Sequence, residues 1–294
     1  MKGRVLLNPQ AGRGKGRSHA ERLRALARRH DLEFEIPASG AELAARARQS
    51  AAEGCPKLLV AGGDGSYHCA VQGLAGSDCA LVPIALGTGN DLARELGLPL
   101  AIERAVELGV AAPVDRMDLG RVGENYFCGV AGTGIDSEAA EYSRSIRRLR
   151  GPLVYVWSVV AVLARFAAPE LRLELPDETI RDRVMLSAFA NTRYFGGGMK
   201  IAPGADRADG LFDVVLVRRI SRLRLLTIFP RVYRGTHLAH SACEIRRAAR
   251  LRYSLDRPMA CWGDGERLAG VGPQGVELEI VPGALAVPRL VSST

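Results

Sequence analysis

The sequence is short of aromatic residues, of paired cysteines and of long apolar runs. Phe, Trp and Tyr make up 5% of it, too few for a surface that stacks bases in succession, so no nucleic-acid partner is expected. The six cysteines (Cys55, Cys69, Cys79, Cys128, Cys243 and Cys261) form no CxxC pair and no disulfide framework. That usage reads as reduced thiols in a cytoplasmic setting. The longest greasy stretch, Pro152 to Ala164, is closed by Arg165. A membrane span takes about 20 apolar residues, so this stretch reads as a buried or interface-lying helix. The opening MKGRVLLNPQAGRG has too short an apolar core for a secretory signal. Acidic charge is also in deficit, with 40 Lys and Arg against 32 Asp and Glu and a net charge of +8. The excess favours phosphates or an anionic membrane surface. At 294 residues, 47% of them hydrophobic and 24% charged, the chain is globular and long enough for two domains.

What is present is glycine at the ends of apolar runs. Lys57 to Leu74, KLLVAGGDGSYHCAVQGL, passes from a strand (Leu58 to Ala61) through Gly62, Gly63, Asp64, Gly65 and Ser66 into a helical segment. Such a turn lets backbone N–H groups close on an anion with a helix N-terminus behind it. A bare carboxylate would repel phosphate, so Asp64 points to work through Mg²⁺ or on a proton. The plainer reading is a βα turn with Asp as its cap. Two further turns repeat the order. Arg4 to Leu7 leads into Asn8, Pro9, Gln10, Ala11, Gly12, Arg13 and Gly14; Gly16 after Lys15 rules out a Walker loop, and no third Gly completes a dinucleotide fingerprint. Cys79 to Leu86 leads into Gly87, Thr88, Gly89, Asn90 and Asp91. Ser18 with Glu21 and Ser39 with Glu42 read as capping boxes, Gly54 as a helix stop, and Phe34 to Ile36 as another strand. Strands alternating with helices predict a parallel α/β sheet. Ligands of such sheets bind outside the carboxyl ends of the strands, so the three turns predict one phosphate-holding rim.

Beyond Val114 strand-like pieces follow each other with less helix: Asn125 to Val130, Leu171 to Leu175, Val184 to Ala190, Phe212 to Val217, Ile245 to Tyr253 and Val276 to Val281. They predict an antiparallel β-sandwich domain, interrupted by helical pieces near Leu153 to Phe166 and Ser221 to Tyr233. The expected division is an α/β nucleotide-binding domain over 1–117, which the tail 284–294 can join, and a β domain over 118–283. The active site is expected in the cleft between them.

These residues resemble the diacylglycerol kinase catalytic domain of lipid kinases. The resemblance rests on Asn8-Pro9 with Ala11, Gly12 and Gly14, on the GGDGS and GTGND turns, and on later matches. These are Gly196-Gly197-Gly198-Met199, Pro203-Gly204-Ala205 with Asp209-Gly210-Leu211-Phe212-Asp213, and Asp264-Gly265-Glu266. It covers nearly the whole chain in order and is similar to the bacterial diacylglycerol and phosphatidylglycerol kinase-like branch. NAD kinases and phosphofructokinases are similar at GGDG, but the GTGND turn and the late DGE triplet favour the lipid kinases. The resemblance implies transfer of the γ-phosphoryl group of ATP to a lipid hydroxyl, with Mg²⁺. Glu266 would be the general base; Asp64, Asp91 and Asp118 would support catalysis. Asn8, Gly12, Gly14, Gly62, Gly63, Gly65, Ser66, Gly87, Thr88, Gly89 and Asn90 would hold the nucleotide. Asp206, Asp209 and the Leu211 carbonyl would hold a second Mg²⁺, where a solvated Asp-rich turn is the plain alternative. Phosphoryl transfer relies on positioning and charge neutralisation, and a carboxylate suits removal of an alcohol proton.

One departure stands out: Cys69 occupies a position where the family usually carries Glu. His68 beside it reads as a replacement donor or as a surface or capping residue, and His237 and His240 as surface residues. A lipid acceptor implies peripheral membrane contact. Arg144, Arg147, Arg148 and Arg150 precede one apolar piece; Arg218, Arg219, Arg222, Arg224, Arg231 and Arg234 alternate with Leu223, Leu225, Leu226, Ile228 and Phe229 in the other. Either piece reads as a lipid entrance on an anionic leaflet or as a core-facing helix with a solvated basic face. Two rival functions remain: a soluble-substrate kinase of the NAD kinase type, and a catalytically weakened nucleotide- or lipid-binding protein.

Overall fold

A computed structural model describes residues 2–145, 157–158 and 161–290. The first lobe is built on four parallel strands, β1 (Arg4–Leu7), β2 (Glu33–Glu35), β3 (Lys57–Gly62) and β4 (Ala80–Ala85), in the order β2-β1-β3-β4. Every residue of β1 and β4 is buried, as a parallel sheet covered on both faces requires. The cover comes from α2 (Ala20–Arg29), α3 (Gly40–Ala52), α4 (Asp64–Leu74) and α6 (Ile102–Ala111), through Leu23 and Leu26, Leu43 and Ala47, Tyr67 and Val71, and Ile102 and Val106. Ser39 caps α3 as expected: its hydroxyl accepts from Glu42 N, and the Glu42 carboxylate accepts from Ala38 N. The Ser18 and Glu21 box does not form. The Asn8–Gly14 turn coils into α1 (Ala11–Gly14) and a 3₁₀ turn (Gly16–His19) that runs straight into α2, so His19 is the cap residue and Ser18 donates back to Lys15 O.

The second lobe is antiparallel. Its strands are β5 (Val114–Val122), β6 (Asn125–Phe127), β7 (Val130–Gly134), β8 (Glu170–Glu174), β9 (Thr179–Ala190), β10 (Tyr194–Phe195), β11 (Met199–Lys200), β12 (Phe212–Arg218), β13 (Cys243–Ala248), β14 (Arg250–Leu255), β15 (Met259–Gly263), β16 (Glu266–Val271) and β17 (Val276–Pro288). Long β9 serves two layers: residues 179–183 pair with β8, and residues 184–190 pair with β12 and, over 186–190, with β7. Between the layers Phe127 stacks on Phe212 and Phe189 meets Tyr253 edge-on. The single strand expected over Ile245 to Tyr253 is two strands broken at Ala249; β13 pairs with β12, whereas β14 pairs with β8 and β17. The helix Arg222–Val232 forms where the second apolar helix was expected. The first, from Leu153 to Phe166, falls partly outside the described residues; 157–158 and 161–163 are helical.

The lobes share apolar packing. Met117 and Leu119 of β5 and Ala284, Leu285 and Val287 of β17 belong to the same core as β1, β3 and β4. Gln72 of α4 clamps β6 with its amide: its Nε2 donates to Tyr126 O at 2.7 Å, and its Oε1 accepts from Tyr126 N at 3.0 Å. Lys57 donates to the carbonyls of Gly109 and Ala112 at the end of α6, at 3.0 and 2.6 Å.

Candidate active site

The three glycine-bearing turns meet at the carboxyl edge of the parallel sheet and interlock through their backbones. Asn8 Nδ2 donates to Ser66 Oγ at 2.8 Å. A β-carbon on Gly87 would lie 2.6 Å from the Gly63 α-carbon, so the GGDGS and GTGND turns touch where neither carries a side chain. Asn90 holds the left-handed conformation at φ 54°. Its side chain closes its own turn on both the N–H and the carbonyl of Gly87. The helix α4 begins inside GGDGS, at Asp64. The helix N-terminus gives that turn a positive end.

Asp64 and Asp91 form a relay between loops. The two Asp64 oxygens accept from Asn90 N and Asp91 N, each at 2.8 Å, which seats the start of α5 (Asp91–Glu95). Asp91 accepts from Gly197 N and Gly198 N, at 2.8 and 2.7 Å, and pairs with Arg94 at 2.9 Å. The relay thus runs from GGDGS through GTGND to the glycine loop between β10 and β11. Burial, then the Asp91 charge, pushes the Asp64 carboxyl up to about 6 against the two N–H bonds that favour its anion. Burial also raises Asp91.

From the second lobe Asp264-Gly265 makes a two-residue hairpin turn, with φ 52° and 83°. Asp-Gly is the preferred chemistry for such a turn. Asp264 is fixed by accepting from Cys128 N and Gly129 N at 2.7 and 2.9 Å. The turn delivers Glu266 as the first residue of β16, over the first turn of α4: a β-carbon on Gly65 would be 3.1 Å from Glu266 Oε1. The late glutamate and the GGDGS turn therefore face each other across the lobes.

A cavity of about 420 Å³ opens beside them, bounded by Asp64, Thr88, Gly89 and Asp91 on one side, by Asp264 and Gly265 on another, and by Tyr194 to Gly197 on a third. Of the expected site residues, Asn8, Gly12, Gly14, Gly62, Gly63, Gly65, Ser66, Gly87, Asn90 and Glu266 do not line it. Asp136, which the sequence reading missed, forms a further wall. It is half-buried, its shielding from water pushes it up to about 6, and its buried Oδ1 has no protein partner. The signal was present: Gly132-Thr133-Gly134 ends strand β7 just before Asp136 opens helix α7 (Ile135–Ser145), the same strand–glycine–acid–helix order as GGDGS. Asp136 and Phe195 also wall a second chamber of about 120 Å³, otherwise lined by Leu, Ile, Val, Phe and Met side chains and His237.

Other expected site residues lie elsewhere. Asp118 is buried at 3% exposure and does not line the cavity. Its two oxygens accept from Gly210 N and Gly283 N, each at 2.8 Å, tying the 206–211 loop to the β17 bend. In that loop Asp206 accepts from Ala208 N and Asp209 from Leu211 N, and Arg247 pairs with the second Asp209 oxygen. His68 and His237 are buried, not surface residues. His68 Nδ1 lies 3.8 Å from Asp264 Oδ2, and His237 Nε2 lies 2.9 Å from Ile201 O. Burial and the Glu266 charge push the Cys69 thiol up, so it stays neutral beside the glutamate.

The chain matches two family models in succession: the diacylglycerol kinase catalytic domain over residues 2–122, and the YegS C-terminal NAD kinase beta sandwich-like domain over 129–289. It is 35% identical to a diacylglycerol kinase of Mycobacterium tuberculosis over 246 residues, 81% of this chain and 78% of that protein. A diacylglycerol kinase of Bacillus subtilis is 27% identical over 274 residues, 90% and 89% of the two chains. The "Probable lipid kinase YegS-like" of Pseudomonas fluorescens is 30% identical over 190 residues, 64% and 63%. A crystal structure of a diacylglycerol kinase from Bacillus anthracis superposes with a TM-score of 0.75 over 100% of this chain and 98% of that one; at 17% identity it shows a shared fold.

Proposed function

The chain belongs to the family of diacylglycerol kinases and YegS-like lipid kinases and is with them a lipid kinase; from that premise we propose that it moves the γ-phosphoryl group of ATP to the hydroxyl of a diacylglycerol- or phosphatidylglycerol-like lipid, with Glu266 as the general base. The observation that carries this reading is the placement of Glu266 from the second lobe over Gly65 of the GGDGS turn. Glu266 follows Gly265, which lines the cavity, and a carboxylate so close to the GGDGS turn is suited to take the proton of an acceptor hydroxyl as it attacks. Residues 1–117, which the 284–294 tail can join, would serve the nucleotide and 118–283 the lipid, with β5 and β17 of the antiparallel sheet running across both bounds.

The rim residues Asn8, Gly12, Gly14, Gly62, Gly63, Ser66, Gly87, Thr88, Gly89 and Asn90 would hold ATP, with Asp64 and Asp91 keeping their loops in register. Carboxylate oxygens are what Mg²⁺ takes, but among the described residues no group of three or more such side chains is placed to hold a metal ion. Both oxygens of Asp64, Asp91 and Asp264 already accept from backbone N–H groups, so the ion would come with the phosphates of the nucleotide. Bound with the nucleotide, Mg²⁺ would offset the charge of the phosphates. Asp206, Asp209 and the Leu211 carbonyl would hold a second Mg²⁺, and Asp118 would act on that loop as a positioning residue through Gly210 N. The acceptor's head would occupy the larger cavity and one of its chains the apolar chamber past Asp136 and Phe195. Among the described residues no helix is long and apolar enough to cross a membrane; the lipid would be met by peripheral contact, from the cytoplasmic side.

The direct test is Glu266→Gln with labelled ATP and a dispersed diacylglycerol. Turnover should fall by about 10²–10⁴-fold, while ATP affinity stays at the wild-type value because the substitution leaves the rim intact. A variant with wild-type turnover would remove Glu266 from the mechanism.

A further inference from the structure

The structure assigns the helix Arg222–Val232 as the surface on which this protein docks to an anionic membrane, so that a lipid chain passes from the leaflet into the apolar chamber beneath it. The assignment rests on the lipid kinase reading for what the chamber takes, and on the helix itself for the docking. The helix has two apolar stripes at helical spacing. One faces in: Leu225, Ile228, Phe229 and Val232 line the chamber. The other faces out: Leu223 is 78% exposed, Leu226 44% and Tyr233 50%. A helix that only roofed a cavity would need the first stripe alone. Exposed apolar groups at this density beside a binding chamber mark a contact surface.

Charge names the partner. Between Arg218 and Arg234 there are six arginines and no carboxylate. Arg218 is paired with Asp182 and Glu244, whereas Arg222, Arg224, Arg231 and Arg234 have no ion-pair partner among the described residues. Leucines and a tyrosine flanked by unpaired arginines fit the acyl–headgroup boundary of an anionic leaflet, where the rings and aliphatic groups sink and the guanidinium groups meet phosphates. Trp157, 54% exposed, lies in the segment that leads to Leu163 of the same chamber and is of the residue type that sits at this boundary. Leu226 borders the chamber and is also open to the outside. A chain leaving the bilayer beside this helix therefore reaches the chamber without crossing water, and its head arrives at the wall formed by Asp136 and Phe195.

The test uses the full chain carrying Arg222→Glu, Leu223→Glu and Arg224→Glu, none of which lines either cavity. Co-sedimentation is measured with vesicles of phosphatidylcholine, with and without phosphatidylglycerol. The wild type should bind the anionic vesicles selectively, and the variant should bind them about tenfold or more weakly. Phosphorylation of diacylglycerol embedded in those vesicles should fall with binding, while phosphorylation of dihexanoylglycerol dissolved as monomers stays at the wild-type rate. Leu223→Ser alone, at a side chain that touches little of the protein, should give a partial loss in the same direction. Equal vesicle binding by variant and wild type would overturn the assignment. An equal loss on dissolved and embedded acceptor would overturn it too, since the helix would then serve the cleft rather than the membrane. If the wild type phosphorylates no lipid at all, the kinase reading fails, and the sedimentation result still decides the docking.

Discussion

Asp136 stands at the wall shared by the two cavities with one carboxylate oxygen that no protein donor reaches. Burial raises its carboxyl to about 6 from the usual 3.8. A folded-state value above the unfolded one means that the native protein binds this proton more tightly. Its contribution to stability is therefore fully present below about pH 4 and is lost as pH rises through about 6, where the carboxylate ionises. Asp136→Asn should raise unfolding free energy by about 1–3 kcal/mol at pH 8, and the gain should vanish at pH 4; urea titrations at the two pH values read this directly. Asp64 has the same sign and range, with a different consequence. Its anion holds Asn90 N and Asp91 N, so protonation loosens the rim. Turnover should decline as pH falls through about 6, and a rate profile flat down to pH 5 would exclude that role for Asp64.

Among the elements, the 206–211 loop gives the sharpest case. Its carboxylates make the side-chain-to-backbone bonds of ordinary Asp turns, and Asp209 is also held by Arg247. A cation there competes with a guanidinium for Asp209. Arg247→Ala should thus tighten Mg²⁺ binding to this loop by several-fold, read by calorimetry on the nucleotide-free protein; weaker or unchanged binding would argue for the plain turn. The same scale shows what the sequence could carry. The parallel strands and the Ser39 cap were legible because their signals are local: buried apolar runs, and a hydroxyl three residues before a glutamate. The failed Ser18 cap was not, because the preceding turn coils and takes over the helix start. The break at Ala249 was hidden since both halves of the run suit a strand, and only their different partners separate them. The burial of His68 and His237 depends on contacts far apart in the chain, with Asp264 for one and Ile201 for the other. Asp136 repeated the strand–glycine–acid order of GGDGS, yet a single such repeat says nothing of a half-buried carboxylate with an oxygen that no donor reaches. The described residues leave out 146–156 and 159–160, where much of the other basic apolar segment was expected.

At the scale of the molecule, the account depends on two lobes holding Glu266 and the glycine rim at a fixed separation. The Gln72 amide spans them by donating to and accepting from Tyr126, and the β5 and β17 strands pack into the first lobe's core. Gln72→Leu should cost about 1–3 kcal/mol of stability by leaving the Tyr126 backbone groups unpaired, and should lower turnover through a looser cleft, with thermal denaturation and steady-state rates as the checks. What the fold alone does not dictate is the acceptor, because function resides in the site and not in the architecture. The most direct measurement is transfer of labelled phosphate from ATP into a panel of purified lipids, with NAD in a parallel reaction, for the wild type and for Glu266→Gln. The account predicts label in a hydroxyl-bearing glycerolipid, none in NAD, and near-complete loss in the variant. Label in NAD but in no lipid, or equal labelling by wild type and variant, would contradict it.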